Sequence, residues 1–251
     1  MLKDLGRLDW LKCLQIPETR IPAALILRGT RNAKTKYQAM LPHFRNILEV
    51  GSPNGLFEDV LIGDVRGKPV GFACVYGASM ASEITHVFGV LGTRLVIQTG
   101  NCGALADDLQ AGDLFVAERA FCGEGAAQYY KTDGSWVTAS DDVLHALLAR
   151  AQAEELRRVS IYTTAALLAE SAADLDRWFA QGFAAVDMET ATTYAVAEHF
   201  GMQRLSLLYV FDNPRKQQHL LLTDAEKDER RKLANERIQE LALELVAGVG
   251  S

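Results

Sequence analysis

Leu95-Val-Ile-Gln-Thr-Gly-Asn-Cys-Gly-Ala104 opens as an apolar run without polar alternation and passes into glycines and small polar residues. A run of this kind, too short for a helix, is a strand buried on both faces, which points to a mostly parallel sheet covered by helices. The strand is expected over Leu95 to Thr99, with a glycine-rich turn from Gln98 to Ala104. Outward from it, similar runs predict strands at Ala23 to Leu27, Val60 to Asp64, Val70 to Val75, Asp113 to Ala120, Val159 to Thr164, Ala184 to Asp187 and Leu205 to Phe211. Helical periodicity falls between them, near Thr30 to Leu41, Ser79 to Leu91, Asp141 to Glu155, Ala172 to Gln181, Glu189 to Phe200 and Thr223 to Val246. Alternating strands and helices define the α/β class, with three α/β/α layers in one domain. Thr223-Asp-Ala-Glu226 reads as the capping box of the last helix. Residues 1 to 21 are expected to be an N-terminal extension whose Leu8, Trp10, Leu11 and Leu14 pack on the body formed by residues 22 to 251.

The chain has 251 residues and a formal net charge of −6. That balance excludes a nucleic-acid backbone as the main partner, because such binding needs clustered Lys and Arg. A local cationic pocket for a small anion remains compatible with it. No apolar run approaches the roughly 20 residues of a membrane helix, so no membrane partner is expected. Cys13, Cys74, Cys102 and Cys122 have neither metal-ligand nor disulfide-framework spacing. With no signal-peptide pattern at the N-terminus, free thiols and a cytoplasmic location are expected. The five histidines stand in no metal-binding context, and no metal is implied.

Ligands of open α/β sheets bind beyond the carboxyl ends of strands, which directs attention to four segments and one acid. The segments are Leu27-Arg-Gly-Thr-Arg31, Tyr76-Gly-Ala-Ser-Met-Ala-Ser82, Gln98-Thr-Gly-Asn-Cys-Gly-Ala104 and Val186-Asp-Met-Glu-Thr190, and Asp212 closes the eighth strand. Neither glycine segment is a dinucleotide or Walker fingerprint. Glu189 is either a site carboxylate or an acid favoured by a helix start. Asp212, after Leu207-Leu-Tyr-Val-Phe211, is a proton donor with a raised pKa, a turn former with Asn213-Pro214, or both. Cys102 has no base beside it in sequence and reads as a buried or ligand-contacting thiol rather than a nucleophile.

Taken together, these segments resemble the nucleoside phosphorylase/nucleosidase family over residues 22 to 246. The resemblance rests on Gln98 to Ala104 as the central glycine segment, Asp187-Met-Glu189 as the pentose-binding signature, and Val210-Phe-Asp212 as the strand end with the acid. The loop from Gly123-Glu-Gly125 to Tyr129 is similar to one in some members. The resemblance implies a phosphorylase-type fold with a central mixed, partly barrel-like sheet, and a pentosyltransferase that cleaves the N-glycosidic bond of a nucleoside, a purine by preference. It implies no cofactor, phosphate as co-substrate, and a homo-oligomer, dimer or hexamer.

In this scheme Met188 and Glu189 bind the ribose, and Asp212 protonates the leaving base. Gly29, Arg31, Ser82, Gln98 and Asn101 line the phosphate end, and Cys102, Gly103 and Leu167 the base. Lys227 takes the place of an arginine that approaches the acid in related purine enzymes, but reads as a solvated lysine unless the start of the last helix folds over the site. Three departures weaken the phosphate end. The first turn is Gly29-Thr-Arg31-Asn-Ala33, the neutral Gln98 replaces an arginine and its bidentate fork, and Asn54 lies near the place of an arginine lent by a neighbouring subunit. Arg31, or failing that Arg28, is expected to compensate. A nucleosidase that uses water, or a catalytically weak nucleoside-binding protein, is the alternative.

Overall fold

The computed structural model describes residues 1–132, 135–151, 156–222 and 224–248. Its strands are β1 (Ala24–Gly29), β2 (Arg45–Glu49), β3 (Val60–Val65), β4 (Lys68–Val75), β5 (Leu95–Ala104), β6 (Leu114–Cys122), β7 (Trp136–Thr138), β8 (Leu156–Thr163), β9 (Ala185–Asp187) and β10 (Gln203–Asp212). The helices are α1 (Arg7–Cys13), α2 (Ala33–Met40), α3 (Gly77–Leu91), α4 (Asp141–Leu148), α5 (Ala172–Ala180), α6 (Thr190–His199) and α7 (Ala225–Gly248).

All strands join one mixed sheet in the order β10-β6-β8-β9-β5-β1-β4-β3-β2, with β7 beside β6. Because β10 also pairs in parallel with β5, five strands close on themselves while β1, β4, β3 and β2 extend as a wing. The expected partly barrel-like sheet is therefore present. Alternation along β1 divides the core. Ala24 and Ile26 join the core cluster that includes residues of α2, α4 and α7, whereas Leu25 and Leu27 join the one that includes residues of α1 and α3. Two covered faces account for the continuous apolar runs.

The expected elements recur with shifted ends. The glycine segment expected as a turn is strand, because β5 continues through Ala104. Neither Gly100 nor Gly103 has positive φ; they serve close approach instead. A Cβ on Gly103 would lie 3.3 Å from Val186 Cγ1 and 3.4 Å from Asp212 Oδ1. Helix α2 begins at Ala33, since Thr30 N still bonds Val75 O at 2.9 Å. Helix α4 ends at Leu148, and residues 152–155 of the expected span lie outside the described residues. Thr223 of the expected capping box also lies outside them, and Asp224 Oδ1 accepts from Glu226 N and Lys227 N at 3.1 and 3.3 Å.

Strands β2 and β7 and helix α1 have no counterpart in the sequence reading. Strand β2 is exposed, and its register slips between Arg45 and Leu48 where Asn46 takes a positive φ. Neither feature leaves an apolar pattern. On α1, Trp10 and Leu11 are buried and join the core cluster of α3. Leu14 is partly buried against that cluster, but Leu8 is 69% exposed and does not pack as expected. Trp10→Ala should therefore lower unfolding free energy by about 3 kcal/mol, the scale of a lost buried aromatic. Urea denaturation measures this; a change below about 1 kcal/mol would mean that α1 adds little to the core.

Candidate functional site

Helix α6 starts where β9 ends, and a buried acid fixes that junction. Asp187 accepts from Thr163 Oγ1 at 2.6 Å, from Thr190 N at 2.9 Å and from the Thr190 hydroxyl, which also meets Ser206 Oγ at 2.8 Å. Ala191 N donates to Thr163 Oγ1 at 3.0 Å, completing the tie between β8 and α6. This network aims Glu189, the residue before α6, back over the sheet. Gly77 N donates to Glu189 Oε1 at 2.7 Å. Gly77 has φ +81°, a conformation glycine adopts at little cost. A Cβ there would touch Met188 Cε at 4.0 Å, and one on Gly29 would meet Gln98 Nε2 and Glu189 Oε2, each at 2.9 Å. Gly29, Gly77, Gln98, Met188 and Glu189 therefore converge. Burial raises the pKa of Glu189, and the neighbouring Asp187 charge raises it further. Burial also raises Asp187, against its hydrogen bonds.

Asp212 sits at the opposite end of the glycine segment, beside Gly103. Burial pushes its pKa up to about 6, and Arg231 opposes the shift. Arg231, rather than Lys227, is the cation of α7 that faces the acid. Its Nε donates to Phe211 O at 2.8 Å and its guanidinium covers the Phe211 ring at 4.1 Å. Lys227 lies 3.5 Å from Asp224 instead. The two residues are one helical turn apart, and only the packing of α7 selects between them. Arg215 binds the strand end to its surroundings through Leu105 O at 2.6 Å, Asp176 Oδ1 at 3.0 Å and the Phe179 ring.

Other expected residues are dispersed. Arg31 is exposed, its guanidinium 4.7 Å from the Tyr76 ring centre. Arg28, the less favoured alternative, is fully buried, with Nε, Nη1 and Nη2 all lacking a hydrogen-bond partner. Ser82 Oγ donates to Ser79 O at 2.7 Å within α3. Asn101 Nδ2 donates to Tyr209 Oη at 3.5 Å. Burial raises the Cys102 thiol well above its usual range, which opposes thiolate chemistry. Leu167 is half-buried in the short turn Leu167–Ala169, while Leu168 is 90% exposed.

The roles of three acids escaped the sequence reading. Glu170, next after that turn, has a buried Oε1 without a partner, and burial together with Asp212 and Asp174 pushes its pKa up to about 7. Its only signal was an acid before the capping Ser171. Glu124 is buried and accepts from Ala127 N at 3.1 Å, from Ala126 N and from the Thr192 hydroxyl. It thereby pins the Gly123-to-Tyr129 loop on α6. Asp187 was quoted as part of a motif, without its positioning role. A surface cavity of about 480 Å³ lined by Arg94, Asp142 and Arg150 opens beside Leu95 and Gln203, at the ends of β5 and β10 remote from these acids.

A closed mixed sheet, a buried carboxylate at a helix start and a second acid across a glycine-rich strand define a phosphorylase-type α/β protein. The sequence model of the phosphorylase superfamily matches residues 34–247; the chain belongs to that family. A guanosine phosphorylase of Halorubrum lacusprofundi is 29% identical over 57% of this chain, and the match spans 58% of that protein. A DeoD-type purine nucleoside phosphorylase of Hahella chejuensis is 26% identical over 77% of this chain and 86% of its own length. Uridine phosphorylase of Vibrio fischeri, solved with 6-hydroxy-1-naphthoic acid, shares the fold with a TM-score of 0.79 at 18% identity, covering 93% of this chain and 95% of that one.

The Asp212 carboxyl should titrate near pH 6 in carbon-detected NMR, and Arg231→Met should move its midpoint upward because a stabilising cation is lost. A wild-type midpoint near 4 would contradict the burial that the fold imposes.

Proposed function

We propose that the protein is a nucleoside phosphorylase that transfers the pentose of a nucleoside, a purine by preference, to phosphate, with no other cofactor. The observation that carries this reading is the placement of the Glu189 carboxylate against Gly29 and Gln98, with Asp212, its pKa raised by burial, beside Gly103 at the far end of the strand that holds Gln98. Glu189 accepts the ribose 2′- and 3′-hydroxyls, with Met188 against the sugar. Its charge gains strength as the ring becomes cationic, which favours the transition state over the substrate. Asp212 donates to the departing base so that it leaves neutral. Cys102, Gly103 and Leu167 border the base, and Gly29, Gln98, Asn101, Ser82 and Arg31 the phosphate end. Family membership and the guanosine and purine activities named for relatives support this assignment. We further propose a cytoplasmic homo-oligomer, dimer or hexamer; exposed Tyr129, Leu168 and Leu221 supply apolar surface for subunit contact. A nucleosidase is the second reading, favoured by the buried, neutral Gln98 beside Glu189, because a glutamine holds phosphate less well than an arginine.

Nucleosides are to be incubated with and without phosphate, and free pentose and pentose 1-phosphate measured. Cleavage that proceeds equally without phosphate and yields free pentose would replace the transferase by the nucleosidase. Glu189→Ala should abolish most turnover of ribonucleosides and affect 2′-deoxy substrates less; equal losses would count against the clamp.

Asp212→Asn should slow ordinary purine nucleosides about 10²–10⁴-fold while sparing 7-methylguanosine, whose base is already cationic. The wild-type rate on ordinary nucleosides should fall as pH rises above about 6, where Asp212 loses its proton. No such fall is expected for 7-methylguanosine. Parallel profiles for the two substrates would remove Asp212 from the acid role.

A further inference from the structure

Phe200, the residue after α6, lies between two imidazoles. His86 of α3 meets its ring at 4.9 Å and 89°, and His199 meets it at 4.8 Å and 88°. The absence of a side chain at Gly89 on α3 lets this ring come close, since a Cβ there would stand 2.6 Å from Phe200 Cγ and Cδ2. Tyr130 closes the cluster from the loop that follows β6. Its hydroxyl is 3.1 Å from His86 Nδ1, and its ring stands edge-on to His86 at 5.8 Å and to His199 at 5.6 Å. One cluster therefore joins α3, the end of α6 and the loop of residues 123–131.

Two further contacts fasten the same loop to α6. Glu124 accepts from the Thr192 hydroxyl, and Lys131 Nζ donates to Glu198 Oε1 at 2.9 Å. Thr193, next along the helix, donates to Gln98 Oε1 at 3.4 Å, so the helix that receives the loop also borders the Glu189 carboxylate. The charges around the imidazoles are engaged elsewhere. Glu198 is divided between Lys131 and Arg204, whose Nη2 lies at 2.7 Å. Glu83, one turn before His86 on α3, acts on Tyr130, whose pKa is raised first by burial and then by that charge. Burial pushes the Cys122 thiol up to about 11, so it stays neutral. Among the described residues no carboxylate pairs with either imidazole, and Tyr130 is the hydrogen-bond partner of His86.

We propose that His86, together with His199, is a pH-sensitive latch that holds the loop of residues 123–131 on α3 and α6 while the imidazoles are neutral and releases it as they gain protons. A neutral Nδ1 can accept from the Tyr130 hydroxyl, which an imidazolium cannot do. Burial lowers the pKa of His86 from its ordinary 6.5, and the charge of a protonated His199 lowers it further. Docking thus weakens proton binding, and by linkage a bound proton weakens docking. The latch contributes fully above pH 6.5 and is lost as the pH falls below that value.

Hydrogen exchange of wild type, His86→Phe and His199→Phe between pH 7.5 and 5, corrected for the intrinsic pH dependence of exchange, tests the latch. The reporters are the amides of Gln128, Tyr130 and Lys131, which bond to Gly125 and Ala127 carbonyls within the docked loop. In wild type their protection should fall about threefold to tenfold across this range, while amides of β5 keep theirs. His86→Phe retains a ring against Phe200 but neither accepts from Tyr130 nor titrates, so the fall should disappear. In His199→Phe the fall should be smaller, because one of two like charges is gone. Imidazole NMR supplies a second measurement should His86→Phe not fold: the His86 midpoint should lie below 6.5 in wild type and rise in His199→Phe. Protection independent of pH in wild type, an unchanged fall in His86→Phe, or a His86 midpoint at or above 6.5 overturns the proposal. A fall abolished by Glu198→Gln but not by His86→Phe overturns it as well, by assigning the sensitivity to the ion pair. Exchange is measured without substrate, so none of these outcomes depends on whether phosphate or water attacks the nucleoside.

Discussion

Strand β5 must pair with three neighbours at once. Its first half lies between β1 and β10, both parallel to it, and its last two residues pair antiparallel with β9. Closure of the sheet depends on this sharing, since β10 and β9 meet the rest of the barrel through β6 and β8. Side chains at Gly100 and Gly103 would press on Leu208, the Gly29 carbonyl, Val186 and Asp212. The glycines let the backbones approach, and Gly103 leaves room for Asp212.

The price of this arrangement is electrostatic. Asp187, Glu189, Glu170 and Asp212 all have carboxyls raised by burial. Their environments divide the work. Asp187 accepts from three hydroxyl or amide donors and fixes the start of α6. Glu189 has one backbone donor and a neutral amide beside it, so it keeps acceptor capacity for a ligand. Asp212, moderated by Arg231, has a pKa suited to moving a proton near neutrality. The same fold that buries these acids buries the unpaired Arg28 on the other face of β1, a second unmet charge within reach of the Glu189 field.

Local pattern determined much of this protein. Eight of the strands and the helices that follow them are marked by short apolar runs and amphipathic periods, because burial on a strand or helix face is written in consecutive residues. The acids Glu189 and Asp212 were legible for the same reason, as each stands where a periodic element begins or ends. Exposed β2 and three-residue β7 were not, since an edge strand needs no apolar pattern. What only the tertiary structure decided are relations between distant segments. The glycine segment is strand rather than turn because β9 and β10 come to pair with it. Arg231 rather than Lys227 faces Asp212 because the packing of α7 chooses one helical turn over the next. Arg28, expected to matter less than Arg31, is the cation deprived of both water and partners, because whether a charge is compensated depends on everything that folds around it.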